Sequence, residues 1–266
     1  MFFVENLATM NPKDVRNLIR SGKLVRPTAG IAQGYTQANL VILPKDLAYD
    51  FLLFAQRNPK PCPILDVTEV GSPEPKAVGV GADLRYDIGK YRIYKKGILA
   101  EEVYDIEKYW TKDMVAFVLG CSFSFETAML KNRIPVRHIE ENCNVPMFIT
   151  NIECKPAGIF AGPTVVSMRP IPEAMVVRAV QVTSRFPAVH GAPIHIGSPS
   201  SIGIRDINKP DFGDSVTIKP GEVPVFWACG VTPQAVAMNV KPELMITHAP
   251  GYMFICDTRD EDYSVL

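Results

Sequence analysis

Two segments of the chain carry a cysteine in matching surroundings, at points where a strand could turn into a helix. Residues 115–129 and 223–237 align when Cys121 is placed on Cys229. Each segment is an apolar run, followed by a small residue with the cysteine and then by a residue that can open a helix. Such a turn presents unpaired backbone N–H groups and the positive end of a helix dipole. Each turn is therefore a candidate site for an anion.

The same alignment pairs two further polar positions. Ser124 matches Thr232, and Glu126 matches Gln234. Two such units in one sheet predict two anion-binding corners, which is what a substrate with two carboxylates needs. The alternative is a chance likeness between two apolar strands that precede helices, in which both hydroxyls act only as helix caps.

The arginines and the turn residues are the candidates for binding a substrate carboxylate. Arg169 and Arg185 flank a predicted helix, and the planar guanidinium binds both oxygens of a carboxylate. Either arginine could instead form a surface salt bridge. The residues expected to bind substrate are Cys121, Ser122, Ser124, Arg169, Arg185, Cys229, Gly230, Thr232 and Gln234.

Acid–base chemistry needs a titratable group near these turns. Glu126 at a helix start and His248 at a strand end are the first candidates for a general base and a general acid. His190 and His195 are the next candidates. A solvated glutamate and ordinary hydrogen-bonded histidines are the alternatives. His138 lies in a charged segment and is expected at the surface.

The sequence predicts chemistry without a metal or a cofactor. Four residues separate His190 from His195 on a predicted loop and strand, which is weak support for a metal site. There is no P-loop motif. The run Gly79-Val-Gly81 lacks the third glycine and the helix of a dinucleotide motif, so no nucleotide is expected. Cys121 as a nucleophile is an alternative, although the sequence shows no base beside it.

The composition is that of an ordinary globular chain of 266 residues, 47% hydrophobic, with 28 basic and 28 acidic side chains. This charge balance argues against nucleic-acid binding, which needs a basic excess. No run approaches the ~18 to 20 apolar residues that cross a bilayer. The six cysteines show no C-x-x-C spacing, and without an export signal they indicate a cytoplasmic protein. A homodimer is one expectation for an apolar chain of this size.

Strands followed by helices, as at residues 114–131 and 222–240, predict a three-layer α/β domain with a mainly parallel sheet. After residue 133 the pattern changes to a β-β-α-β stretch, which predicts an inserted two-layer α+β domain. The expected domains are a discontinuous main domain of residues 1–132 and 218–266 and an insert of residues 133–217.

Five motifs in order give the chain a resemblance to a known family. They are Gly-Cys-Ser-Phe-Ser-Phe-Glu (120–126), Met-Arg-Pro-Ile-Pro (168–172), Ser-Arg-Phe-Pro-Ala-Val-His-Gly-Ala-Pro-Ile-His (184–195), Trp-Ala-Cys-Gly-Val-Thr-Pro-Gln (227–234) and Ile-Thr-His-Ala-Pro-Gly-Tyr-Met-Phe-Ile (246–255). Through nearly its whole length the sequence resembles the D-glutamate cyclase family. Bacterial members of this family usually carry a hydro-lyase label by inference.

The resemblance implies a bacterial, cofactor-independent carbon–oxygen lyase of amino-acid metabolism that closes D-glutamate to 5-oxo-D-proline with loss of water. Such a reaction needs a clamp for the α-carboxylate, an oxyanion stabiliser at the γ-carbon, a general base and a general acid. Two alternatives remain. One is an amidohydrolase that opens a lactam with Cys121 or Cys229 as its nucleophile. The other is a non-catalytic protein that binds a carboxylate metabolite.

Overall fold

The structure is a computed structural model that describes residues 7–265, and its strands form two sheets. The first sheet contains β1 (Tyr35–Pro44), β2 (Ile64–Val67), β3 (Tyr91–Lys95), β4 (Ile98–Val103), β5 (Met114–Gly120), β10 (Met245–His248) and β11 (Phe254–Arg259). The second sheet contains β6 (Met147–Glu153), β7 (Pro163–Pro172), β8 (His195–Ile196) and β9 (Glu222–Ala228).

Helices lie before and between these strands. They are α1 (Pro12–Arg20), α2 (Lys45–Arg57), α3 (Phe123–Lys131), α4 (Arg137–Glu140), α5 (Val176–Thr183) and α6 (Thr232–Val240). The chain is therefore of mixed α/β type, as expected. At the start of α1 the Asn11 side chain accepts a hydrogen bond from the backbone N–H of Lys13, and Pro12 is the first helical residue.

The prediction of a mainly parallel sheet is wrong, because every strand pair in both sheets is antiparallel. β1, α2 and β2 do form a strand–helix–strand unit, but β5 lies between the two strands and runs opposite to both. In the second sheet β9 lies in the same way between β7 and β8. Local sequence patterns predicted the helices that connect these strands. They did not predict that a third strand would pair between the two strands that each helix connects.

The two segments with matching cysteines are structurally equivalent. β1 pairs with β5 over seven residue pairs, with Ala38 opposite Gly120. β7 pairs with β9 over seven residue pairs, with Val166 opposite Ala228. Gly120 and Ala228 directly precede the two matched cysteines. The internal likeness is thus confirmed by strand register, whereas the expectation that both units share one sheet is wrong.

The two units interlock through their helices. One face of the first sheet packs against α2 and α6, with Phe51 and Val236 in a shared core. One face of the second sheet packs against α3 and α5, with Phe125 and Ala179 in a shared core. α3 follows β5 of the first sheet but packs in the core of the second, and α6 follows β9 of the second sheet but packs in the core of the first. This exchange brings the starts of α3 and α6 towards the junction between the sheets.

Irregular segments cover the opposite face of each sheet. In the first sheet they stand where the three-layer prediction placed a second layer of helices. Leu84 and Ile88 pack against the first sheet. Ile202, Ile204 and Val216 pack against the second. Each sheet therefore has its helical layer on one face.

The interlocking also bears on the expected domains. β9 was expected in the main domain of residues 1–132 and 218–266, but it pairs with β7 of the expected insert, residues 133–217. All seven strands of the first sheet come from the expected main domain. The division into these domains stays a prediction, because strand pairing alone does not show which segments fold as units.

Asn39 on β1 joins the two equivalent turns. Its Nδ2 donates a hydrogen bond of 2.6 Å to the carbonyl oxygen of Gly120. A Cβ atom placed on Gly230 would lie 1.9 Å from the same Nδ2. The glycine next to Cys229 therefore lets the second turn approach Asn39 closely.

We expect Gly230→Ala to lower the free energy of unfolding by about 1–3 kcal/mol, because the added methyl group overpacks the buried Asn39 amide. Urea denaturation of Gly230→Ala, Asn39→Ala and the double variant measures this coupling. In the Asn39→Ala background, Gly230→Ala should lower the free energy of unfolding by a smaller amount. An equal cost in both backgrounds would show that Asn39 is not the obstacle.

Candidate active site at the junction of the two sheets

β7 carries a completely buried arginine, Arg169, beside the start of α3. Its Nε donates to Oε1 of Glu126 at 3.0 Å, and its Nη2 donates to the same oxygen. Nη1 donates to Ser167 Oγ and Nη2 to Ser122 Oγ, each at 3.1 Å. Four of the five guanidinium N–H groups are used, and the charge is paired, as a buried cation requires.

Aromatic rings enclose this ion pair. The guanidinium carbon of Arg169 lies 5.4 Å from the ring centroids of Phe125 and Trp227. Trp227 is itself held by a hydrogen bond from its Nε1 to Thr183 Oγ1 at 3.1 Å. The rings attract the cation and exclude water, and electrostatic interactions strengthen where water is excluded.

His138 completes the environment of Glu126. Its Nε2 lies 3.2 Å from Glu126 Oε1, and its ring stacks on Phe123. Burial alone would raise the pKa of Glu126, but His138 and Arg169 outweigh burial and lower this pKa to about 2. Glu126 is therefore a carboxylate at neutral pH. The expectation of a surface position for His138 is wrong, because its charged neighbours such as Glu140 take the exposed side of α4.

His190 is a buried histidine close to the same cluster. Its Nδ1 donates to the carbonyl oxygen of Lys60 at 2.7 Å, which leaves Nε2 as the unprotonated nitrogen of the neutral ring. That Nε2 is buried and has no hydrogen-bond partner among residues 7–265. Burial lowers the pKa of His190 to about 4, and the nearby charge of Arg169 acts in the same direction. His190 is thus a neutral base at pH 7.

The two matched cysteines are equivalent but are poor candidates for thiolates. Burial raises the pKa of Cys121 well above its ordinary value and that of Cys229 to about 11. The backbone N–H of Phe123 acts on Cys121, and that of Val231 on Cys229, to reduce each shift. Because the thiol stays protonated at neutral pH, this structure disfavours a cysteine nucleophile.

The matched hydroxyls bind neighbouring strands and do not cap their helices. Ser124 Oγ accepts a hydrogen bond from the backbone N–H of Gln37 on β1 at 3.3 Å. Thr232 Oγ1 accepts the equivalent bond from the N–H of Val165 on β7 at 3.1 Å. No side-chain cap bond is present at the start of α3 or α6. The helix-cap alternative is therefore wrong for both, and the hydroxyls fix each helix start to a strand.

The second turn is the neutral counterpart of the first. Gln234, which matches Glu126, donates from Nε2 to the carbonyl oxygen of His248 at 3.1 Å. Its Oε1 accepts hydrogen bonds from Arg92 Nη1 and Tyr94 OH, each at 3.2 Å. One corner thus holds a buried carboxylate and guanidinium, and the other holds a buried amide.

His248 belongs to this second corner. The backbone N–H of Leu40 donates to its Nδ1 at 3.1 Å, and its Nε2 has no hydrogen-bond partner among the described residues. Burial lowers the pKa of His248 to about 4, and Arg92 contributes in the same direction. No hydrogen bond or ion pair of residues 7–265 joins His248 to Glu126, so the two first acid–base candidates lie in different corners.

Two other candidates have contacts outside the Arg169 cluster. His195 Nε2 donates to the carbonyl oxygen of Ser198 at 2.7 Å, and its ring packs against Phe226 in the second sheet. Arg185 is exposed, and its Nε donates to the carbonyl oxygen of Val265 at 3.1 Å. The roles predicted for these two residues remain predictions.

Two cavities border the ionic corner. The first, of about 280 Å³, is lined by Glu126, Phe123, Gln37 and the loop of residues 30–35. The second, of about 360 Å³, is lined by His138 and parts of two loops. Glu126 and His138 are therefore buried yet adjacent to open space, as residues that meet a small ligand must be.

Sequence reasoning identified the two turns and Arg169 but missed His138 and Asn39. Neither has a motif of its own, since one lies in a charged run and the other in an apolar strand. Within residues 7–265, no group of three or more His, Cys, Asp and Glu side chains is arranged to hold a metal ion. In the same part of the chain no helix is long and apolar enough to span a membrane.

Comparison with known proteins places these residues in a family. The family model described as D-glutamate cyclase matches residues 115–257, which contain both turns, Arg169 and His138. A relative from Thermoanaerobacter sp. (strain X514) is 73% identical over 256 residues, covering 96% of this chain and 97% of the relative. A relative from Geobacillus kaustophilus is 70% identical, with 97% and 98% covered. One from Bacillus subtilis is 68% identical, with 97% and 100% covered. All three are named "putative hydro-lyase".

We expect Glu126→Gln to lower the free energy of unfolding at pH 7 by about 3 kcal/mol, because it leaves the buried charge of Arg169 without an anion. A glutamate in the unfolded chain has a pKa of about 4.3, and the folded protein lowers the pKa of Glu126 to about 2. The ionised side chain therefore stabilises the fold at pH values above about 4.3, and this stabilisation is lost as the pH falls towards 2. The gap between wild type and variant should therefore narrow across that window.

Urea denaturation at several pH values measures this gap. Glu243→Gln is the control, because the Glu243 side chain is 85% exposed and should show no comparable loss. A gap that stays constant from pH 7 to pH 2 would contradict the assignment of a stabilising carboxylate to Glu126.

We expect iodoacetamide to alkylate Cys121 and Cys229 much more slowly than Cys143, because burial raises the pKa of both thiols and Cys143 is partly exposed. Peptide mass spectrometry over a time course gives the rate at each cysteine. Rapid alkylation of Cys121 or Cys229 that a carboxylate ligand prevents would contradict this expectation and favour the amidohydrolase alternative.

Proposed function

Because the chain belongs to the D-glutamate cyclase family, we propose that it is a lyase that closes D-glutamate to 5-oxo-D-proline with loss of water. The names of its relatives support the coarser statement, a hydro-lyase. The substrate, its stereochemistry and the residue roles below are part of the proposal.

The observation that carries the proposal is the buried Arg169–Glu126 pair at the start of α3, beside a cavity and a neutral histidine. D-glutamate has one ammonium group and two carboxylates. A site for it must offer one anion and at least two places for anions. The ionic corner supplies Glu126 and Arg169, and the positive end of the α6 dipole supplies the second place for an anion. The N–H groups of Thr232 and Gln234 already donate to backbone carbonyls, so the dipole is the contribution of this helix start.

Arg169 would stabilise the negative charge that develops on the γ-carboxylate oxygens when nitrogen attacks the γ-carbon. One of its Nη1 hydrogens has no acceptor among the described residues, and Ser122 lies within reach of the same guanidinium. Donors that are already oriented cost no reorganisation when the oxyanion forms. The α-carboxylate would lie at the second corner, near Gly230, Thr232 and Gln234.

Glu126 suits binding of the ammonium group better than proton transfer. With a pKa of about 2 it keeps its charge at neutral pH, and it has little tendency to accept a proton. His190 suits proton transfer, because its Nε2 is unprotonated, buried and without a partner. His248 at the second corner is also buried and neutral, but its Nδ1 accepts from Leu40, so the proton of the neutral ring is on Nε2 and suits the general acid.

The reaction is balanced by moving two protons from nitrogen to oxygen. The nitrogen loses a proton to His190 Nε2 and attacks the γ-carboxylate carbon, forming the new C–N bond. The nitrogen then loses its second proton, one γ-oxygen receives both, and the C–O bond breaks to release water. Nothing is oxidised or reduced in this sequence.

We expect wild-type protein to convert D-glutamate to 5-oxoproline, with His190→Asn and Glu126→Gln each slowing turnover by about 10²-fold or more. Proton NMR of separate tubes with D-glutamate, L-glutamate and 5-oxoproline measures the conversion. His195→Asn is the matched histidine variant, since the contacts of His195 are with Ser198 and Phe226. Thermal unfolding of each variant checks that it is folded.

If no tube shows conversion at high protein concentration, the proposal is contradicted. Thermal stabilisation by D-glutamate without turnover would instead support a binding protein. An His195→Asn variant as slow as His190→Asn would contradict the choice of His190 as the base.

A further inference from the structure

A further cavity borders α3 on its other side and takes part in none of the steps above. It has a volume of about 500 Å³ and lies between α3, α5 and the segment of residues 260–264. Two of the residues that sequence reasoning selected for substrate binding, Ser124 and Arg185, line it together. This volume is within the range of small-molecule sites in proteins.

Two arginines in this cavity have no acidic partner in the described chain. Arg178 Nη2 donates to Asn132 Oδ1 at 2.9 Å, and Arg185 Nε donates to the carbonyl oxygen of Val265 at 3.1 Å. Neither forms an ion pair with a residue between 7 and 265. Each guanidinium has five N–H donors, so both retain donors for a planar anion such as a carboxylate.

A buried acidic group faces the same cavity. Asp260 is 5% exposed, and its Oδ1 has no hydrogen-bond partner among the described residues. The hydroxyls of Ser124 and Thr36 lie beside its carboxyl group. An unpartnered buried carboxyl oxygen is costly, and a ligand that donates a hydrogen bond or carries a positive charge would remove that cost.

We propose that this cavity binds a small α-amino acid, with its carboxylate on Arg178 and Arg185 and its ammonium group on Asp260. The arginines are specific for the anion because their planar forks match a carboxylate. Asp260 is specific for the cation because it is the buried acid among the lining residues. A zwitterion satisfies both at once, whereas a simple anion leaves Asp260 unpartnered.

The cavity shares part of its wall with the candidate active site. Thr127, Lys131 and Asp260 also line the cavity of about 280 Å³ that contains Glu126. An amino acid bound on Asp260 therefore contacts the first turns of α3 from the side opposite to Arg169. This site does not depend on D-glutamate cyclisation.

Isothermal titration calorimetry with L-glutamate, D-glutamate and glutarate tests the proposal. L-glutamate should bind wild-type protein, and Asp260→Asn and Arg185→Gln should each weaken binding about tenfold or more, because each removes one charge-assisted contact. Glutarate, which lacks the ammonium group, should bind about tenfold more weakly than L-glutamate. Glu243→Gln, which changes an exposed acid away from both cavities, should bind L-glutamate like wild type.

Three results would each overturn the proposal. They are no binding of either glutamate, equal binding by both cavity variants and wild type, and glutarate binding as tight as that of L-glutamate. Turnover of D-glutamate, followed by NMR in the same preparations, reports on the lyase separately. Binding that depends on Arg185 and Asp260 in a protein without turnover would contradict the proposed lyase activity and would still support the amino-acid site.

Discussion

Arg169 is a positive charge that the fold holds completely out of water, and the surrounding residues are arranged to offset that cost. Removing an ion from water costs several kcal/mol even after relaxation, so a buried guanidinium must find an anion and further acceptors. Glu126 and two serines supply these, and two aromatic rings close the site. The pair joins β7 of one sheet to α3, which follows a strand of the other.

The exchange of helices between the sheets makes that pairing possible. If α3 covered its own sheet, Glu126 would not lie beside a residue of β7. Because α3 and α6 each cross to the opposite sheet, their starts meet near Asn39, which contacts the glycines next to both matched cysteines. Close backbone approach at Gly120 and Gly230 is therefore a condition for the whole site.

Equivalent backbones have acquired different chemistry in the two corners. Ser124 and Thr232 make the same strand contacts, yet Glu126 is replaced by Gln234 at the matching position. The first corner is built on an ion pair, and the second on a neutral amide that bonds Arg92, Tyr94 and His248. A molecule with unlike ends would meet unlike partners in the two corners, so the asymmetry can orient it.

The sequence by itself determined the family, the two strand–turn–helix units and the importance of Arg169, because these depend on local residue types. Tertiary structure alone decided that β5 runs antiparallel between β1 and β2, and that the two units lie in separate sheets. It also decided that His138 is buried beside Glu126 and that Asn39 joins the turns. Strand pairing and burial are settled by contacts between segments far apart in the chain, and no local pattern of apolar and charged residues records which segments will meet.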